Sequence, residues 1–216
     1  MSDGPAAIVP GSLGVLGGTF DPIHVAHLAL AQEAAESLGL ERVLFIPAGS
    51  PPHKPGVEIS AGEDRLAMVK LAIRGNDRFA VGSLELDRPG PSYTADTLEA
   101  LVADRGPGAI TLILSADAFL GLPSWHEPRH ILELARLAVA PRDGYPEAGP
   151  GFMTEQFPGL EDRAVFLDGP RIRLSASALR DRAAAGRSLR YLVPDAVAAY
   201  IGDHDLYRNP WRNDQT

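Results

Sequence analysis

The 216-residue sequence contains no cysteine. That excludes a disulfide framework and any thiolate metal site. Lysine is scarce: Lys54 and Lys70 stand against eighteen arginines. Positive charge is in deficit, with 20 basic against 28 acidic residues and a net charge of −8. Coating a nucleic acid needs a basic face, so no nucleic-acid partner is expected, although a local cationic pocket for a small phosphorylated molecule is still allowed. No apolar run approaches the ~20 residues that span a bilayer. The opening Met1-Ser2-Asp3-Gly4-Pro5 carries no basic-then-apolar signal. The expectation is a cytoplasmic chain with no membrane partner. Two phosphate-binding fingerprints are also missing. There is no Gly-x-x-x-x-Gly-Lys-Ser/Thr. Gly11, Gly14, Gly17 and Gly18 do not spell Gly-x-Gly-x-x-Gly, so a nicotinamide dehydrogenase is unsupported.

What the chain does have is concentrated between Leu13 and Leu28. Leu13 to Leu16 is a short apolar run that reads as a buried strand. It ends at Gly17-Gly18, where the backbone can turn sharply and let a ligand approach. Asp21-Pro22 then has the chemistry of a helix start, with Asp a good N-cap and Pro tolerated in the first turn. Helix formers continue to about Gly39, with Leu28, Ala31 and Ala35 on one face. A strand, a glycine turn and a helix N-terminus make a phosphate-binding geometry, because the first-turn N–H groups and the helix dipole favour an anion. His24 and His27, three apart, project from the same side of that turn. The same spacing also occurs in metal pairs and on solvated helix faces. No third Cys, His or acidic ligand stands at recognisable spacing, so a zinc site is unsupported.

The rest of the chain alternates. Residues 1–11 read as a mobile lead-in, Arg42–Pro47 as a second strand and Ala48–Ile59 as a Pro/Gly-rich loop carrying His53-Lys54. Ala61–Arg74 reads as helix, Phe79–Leu86 as extended chain and Ser92–Ala103 as helix. Ala109–Ser115 reads as strand, Arg129–Leu134 as helix, Leu137–Ala140 as strand and Pro141–Gly151 as loop. Ala164–Leu167 is a last strand, Ser175–Ala185 and Pro194–Ile201 are closing helices, and residues 203–216 form a polar tail. Strand, helix and strand in this order imply parallel pairs with right-handed crossovers. The fold class is therefore α/β: a doubly wound, mostly parallel sheet in a single domain over residues 12–202, with C-terminal helices. Ligands of such sheets sit beyond the carboxyl ends of the strands.

Gly17-Gly18-Thr19-Phe20-Asp21-Pro22-x-His24-x-x-His27 resembles the His-x-Gly-His signature of the nucleotidyltransferase superfamily, in the fuller form found in bacterial nicotinate-mononucleotide adenylyltransferases. Pro51-Pro52-His53-Lys54 is similar to that family's Pro-x-His-Lys loop, and Ser92-Tyr93-Thr94-Ala95-Asp96-Thr97-Leu98 to its Ser-Tyr-Thr-x-Asp-Thr-Leu segment. Ser115-Ala116-Asp117 with Trp125-His126 resembles its Gly-x-Asp…Trp element, and Ser175-Ala176-Ser177-Ala178-Leu179-Arg180 its Ser-Ser-Thr-x-Ile-Arg motif. Arg190-Tyr191-Leu192-Val193-Pro194 follows at the family's distance, so the matches run in order from residue 13 to about 201. Three small-for-small departures stand out. Ala26 replaces the glycine between the histidines and adds a methyl where adenine would approach. Ser115 replaces a glycine, and Ala176-Ser177 replaces Ser-Thr.

The resemblance implies a Rossmann-like nucleotidyltransferase fold and adenylyl transfer from ATP to nicotinate mononucleotide, releasing pyrophosphate, as a step of NAD biosynthesis. It implies His24, His27 and Arg180 as the catalytic set. Gly17, Gly18, Thr19, Phe20, Lys54, Asp117, Ser175 and Ser177 would bind ATP, with Asp117 near its ribose. Tyr93, Thr94, Trp125 and His126 would frame the pyridine ring, with backbone amides near Thr94 and His126 receiving the ring carboxylate. Mg²⁺ would travel on the triphosphate oxygens, without an all-protein cage. The alternatives are acceptors such as nicotinamide mononucleotide or phosphopantetheine, and a catalytically silent nucleotide-binding module on the same fold. A homo-oligomer is compatible with the sequence, which sets no copy number.

Overall fold

The computed structural model describes residues 9–50, 59–146 and 149–208. Its centre is a six-stranded sheet in which every pairing is parallel. The strands are β1 (Val9–Gly18), β2 (Leu40–Pro47), β3 (Phe79–Val81), β4 (Ile110–Ser115), β5 (Arg136–Ala140) and β6 (Ala164–Phe166), in the order β3-β2-β1-β4-β5-β6. The direction of winding reverses between β1 and β4, and the crevice beyond their carboxyl ends is where this topology leaves room for a ligand.

Both faces of the sheet are covered, which is why its strands are apolar almost throughout. Side chains alternate along each strand and feed two cores. Leu16, Val43, Phe45 and Ile113 pack against helices α1 (Val25–Ser37), α2 (Gly62–Ala72), α8 (Ala176–Ala184) and α9 (Asp195–Asp203). Leu13, Val15, Leu112 and Leu114 face the other side. There they meet α4 (Thr94–Arg105), α5 (Ala116–Gly121), α6 (Pro128–Leu134) and α7 (Pro150–Gln156), with the short α3 (Leu84–Asp87) beside them. Fully buried Ala31, Ala34 and Ala35 let α1 lie close on the sheet. Phe119, between the rings of Phe152 and Phe166 at 4.8 and 5.6 Å, anchors α5. Burying a side chain of that size is worth about 1.5–3 kcal/mol.

Several local expectations are corrected. The first strand begins at Val9, inside the stretch read as a lead-in, and it runs on through Gly17 and Gly18, which pair with Ile46 and Pro47. The left-handed residue after the strand is Phe20, with φ 50°, and neither Gly17 nor Gly18 has a positive φ. Asp21 is not the helix cap. Helix α1 starts at Val25 with His24 as N-cap, and Asp21 is buried instead. The extended reading of Phe79–Leu86 holds for β3 alone, because Leu84–Asp87 turns into α3. Helix α7 begins inside the loop expected over residues 141–151. The polar tail is not wholly separate from the domain either, since Leu206 and Tyr207 pack against the first core.

Candidate active site

The carboxyl ends of β1 and β4 open into two adjoining cavities of about 490 Å³ each, a size that accommodates a nucleotide. The first lies between the start of α1 and the start of α8, and His24, Ala26, Arg142, Ser175, Ser177 and Arg180 line it. The second lies against α4 and the Trp125 turn, lined by Gly17, Gly18, Tyr93, Thr94, Trp125 and His126. Thr19, His27, Leu30, Ser115 and Asp117 line both. The sequence-predicted residues are thus brought to one cleft from five separate segments. Lys54 lies outside the described residues.

Each side chain is held for a local reason. A Cβ on Gly17 would meet nothing within 4 Å, so its bare backbone faces the cavity, while one on Gly18 would strike the Phe20 ring. That ring is buried and meets His27 edge-on at 5.1 Å. Phe20 therefore supports His27 from below, and it also lines the first cavity beside Thr19 and His24. His24 and His27 stack, with ring centroids 3.7 Å apart and planes 15° from parallel. Burial, aided by the positive charge of Arg142, holds the His24 imidazole down at about 4, so it is neutral at pH 7. A protonated His24 is thus not what the free site offers. The Val25 amide at the head of α1 is taken by the Leu192 carbonyl at 3.1 Å. The Arg190–Pro194 motif therefore closes over that helix start and removes one of its free donors.

Ser175 caps α8, its Oγ accepting from the Ala178 amide at 3.3 Å, and the Ser177 hydroxyl lies 3.2 Å from it. One turn on, Arg180 donates to the Asp21 carbonyl at 2.7 Å and lines the first cavity. Asp117 is gripped on both oxygens: Ser115 Oγ donates to Oδ1 at 2.6 Å and Arg142 to Oδ2 at 2.6 Å. The serine that stands where the resembling motif has glycine thus supplies a hydroxyl that orients this carboxylate.

In the second cavity the rings of Tyr93 and His126 lie 4.3 Å apart. Tyr93 is the N-cap of α4 and Thr94 its first residue, so the positive end of a three-turn helix opens on this space. Beneath it, Ser92 Oγ accepts from the amides of Gly49 and Ser50 at 3.1 and 3.0 Å, fixing the β2 loop to the α4 start. A side chain on Gly49 would overlap the Glu85 carbonyl, so this close approach requires glycine. Glu85 is buried, accepts from Thr97 Oγ1 at 2.9 Å and faces the cavity; burial raises its pKa.

Three residues escaped the sequence reading. Arg142 follows β5 directly, a strand-end position where α/β sheets place ligand-binding groups, and that rule was the available signal. Glu85 lay in a segment read as strand, which hid it. Tyr207 lay in a polar tail, and its one signal was being aromatic there.

The cytidylyltransferase-like family model matches residues 15–182. A protein of Roseiflexus sp. (strain RS-1) named "Probable nicotinate-nucleotide adenylyltransferase" is 50% identical over 196 residues, 91% of this chain and 98% of the relative. One of Thermomicrobium roseum with the same name is 45% identical over 91% of each chain. Among solved structures, the Plasmodium falciparum nicotinic acid mononucleotide adenylyltransferase complexed with NaAD superposes with a TM-score of 0.76. It shares 16% identity over 91% of this chain and 97% of that one, a likeness of fold. Taken with the motif-bearing cleft, these matches place the family: the chain belongs to the nicotinate-nucleotide adenylyltransferases, within the cytidylyltransferase-like family.

Proposed function

We propose that the cleft joins ATP and nicotinate mononucleotide across the Thr19–His27 boundary, giving nicotinate adenine dinucleotide and pyrophosphate. The observation that carries this is the pair of cavities meeting at Thr19 and His27. A two-nucleotide transfer needs that arrangement, with the reacting phosphates at the junction and a base at each end. An ionised phosphate oxygen of the acceptor attacks the α-phosphorus of ATP. The bond from that phosphorus to the bridging oxygen breaks, and the electron pair leaves with pyrophosphate. The attacking group is already ionised, so alignment and charge stabilisation carry the rate.

In this reading the first cavity takes ATP. His24 and His27 donate to phosphate oxygens, and Thr19 with the bare Gly17-Gly18 backbone lies along the α-phosphate. Ser175, Ser177 and Arg180 clamp the outer phosphates. Asp117 faces the ribose, and the Lys54 ammonium supplies a further cation for the phosphates. MgATP is the substrate form, the ion held by triphosphate oxygens. Among the described residues no cluster of three or more His, Cys, Asp or Glu is disposed to hold a metal. Asp117, the carboxylate common to both cavities, already bonds Ser115 and Arg142.

The second cavity takes the acceptor. Trp125 offers an aromatic face to the pyridine ring. The amides at the start of α4 and near His126 receive the ring carboxylate, which suits nicotinate. An amide would turn its NH₂ toward donors and leave them unpaired. The test is pyrophosphate release from MgATP with nicotinate mononucleotide, nicotinamide mononucleotide and phosphopantetheine offered in turn. The first should be the preferred acceptor. Release with none of them would favour a silent nucleotide-binding module.

A further inference from the structure

The turn that follows β1 is held by residues remote in sequence. Arg65, itself buried, donates to the Thr19 carbonyl at 2.8 Å and to the Ser60 carbonyl at 3.0 Å. Arg180 donates to the Asp21 carbonyl at 2.7 Å, and its guanidinium lies 4.0 Å from Asp21 Oδ2. The Asp21 side chain is buried, with Oδ2 accepting from the Ser60 amide at 3.3 Å. Its other oxygen, Oδ1, accepts a 2.6 Å hydrogen bond from the hydroxyl of Tyr207, beyond the last helix. Burial and the Asp21 carboxylate both push that phenol above its usual range, so it stays a donor. The same hydroxyl lies 3.9 Å from Met68 Sδ, which seats it between α2 and the turn.

We propose that Tyr207 is a positioning residue for adenylyl transfer. Its hydroxyl fixes the Asp21 carboxylate, and through Asp21 it sets the Thr19–Asp21 turn and the Arg180 guanidinium in register with the nucleotide phosphates. The inference rests on the reading that the first cavity binds ATP. Asp21 touches Arg180 directly, whereas Tyr207 touches neither cavity. A hydrogen bond to a buried carboxylate is of the strong, charge-assisted kind, so its loss loosens the turn more than a neutral bond would. Removing the hydroxyl therefore acts mainly on the ATP side of the cleft, because Thr19 is the one residue of the Thr19–Asp21 turn that also lines the acceptor cavity, and the α4 and Trp125 walls of that cavity are untouched.

The test uses the full chain with Tyr207→Phe, Arg180→Ala and the double variant, measuring kcat, KM for each substrate and the thermal midpoint. Tyr207→Phe keeps the ring in its packing. It should raise the KM for ATP about 10-fold, the scale of one charge-assisted hydrogen bond. The KM for the acceptor should rise clearly less than that for ATP, and Tm should fall by no more than about 4 °C. Because the hydroxyl acts partly through the clamp, the double variant should be less impaired toward ATP than the product of the two single effects. An unchanged KM for ATP in Tyr207→Phe, an equal rise for both substrates, full additivity, or a larger collapse of Tm each overturns the proposal. Should Arg180→Ala itself leave ATP binding untouched, the reading of the first cavity fails instead. The two failures are therefore distinct.

Discussion

The backbone N–H of His24 donates to Nδ1 of His27 at 3.3 Å while the two rings stack face to face. An Nδ1 that accepts carries no proton, so a neutral His27 holds its hydrogen on Nε2. The helix cap thus selects the tautomer that can donate at the junction of the two cavities.

From this follows the effect of removing the ring. His27→Ala should lower kcat by about 10²–10³-fold, the scale for one transition-state donor. Steady-state turnover at saturating MgATP and acceptor measures it. A rate near that of the parent chain would remove His27 from the reaction.

Arg142 bonds Asp117 at 2.6 Å and lines the cavity that holds His24. Arg142→Ala should weaken ATP binding by roughly 10-fold, in line with a lost charge-assisted contact. It should also let the His24 imidazole titrate above its present value of about 4, because one of the two causes that lower it is gone. An NMR titration of the imidazole signals reads the second effect. A His24 titration that does not move would mean burial alone holds it down.

His24 also gives stability a pH dependence of known sign. Its folded value of about 4 lies below the 6.5 of the free side chain. Between those values the unfolded chain binds the extra proton, so this contribution is fully present above pH 6.5 and is lost as the pH falls toward 4. The window corresponds to about 3 kcal/mol. Urea unfolding at pH 7.5 and 4.5 should show a smaller acid loss in His24→Asn than in the parent by about 2–3 kcal/mol. Equal losses in the two chains would contradict the assignment.

Trp125 lines the second cavity and not the first. Trp125→Ala should raise the KM for nicotinate mononucleotide by about 10-fold or more, as loss of an aromatic platform does, with ATP affinity unchanged. Isothermal titration with each nucleotide separates the two. A defect confined to ATP would reverse the assignment of the cavities.

Much of this was legible before any coordinates. Apolar runs bounded by glycine and proline marked all six strands, because a parallel strand buried on both faces has few other ways to be written. Strand, glycine turn and helix start marked the Gly17–His27 stretch as a phosphate site, and the resemblance to the family's motifs implied the other residues that line the cleft. Errors fell where a local rule met a tertiary competitor. Asp21-Pro22 has the composition of a helix cap, yet half-buried donors from Ser60 and Tyr207 claimed its carboxylate. Gly17-Gly18 looked like a turn, but pairing with Ile46 and Pro47 kept both residues in the strand.

Sequence alone determined the α/β order, the parallel sheet and the identity of most cleft residues. Those properties depend on neighbours a few positions apart. Tertiary structure alone decided that Arg142 grips Asp117, that Phe20 lies beneath His27, and that Tyr207 reaches Asp21 across 186 positions of chain. Long-range hydrogen bonds and ring contacts of this kind have no period and no local signature. They exist because folding brings distant segments to one crevice, where every buried polar group must find a partner.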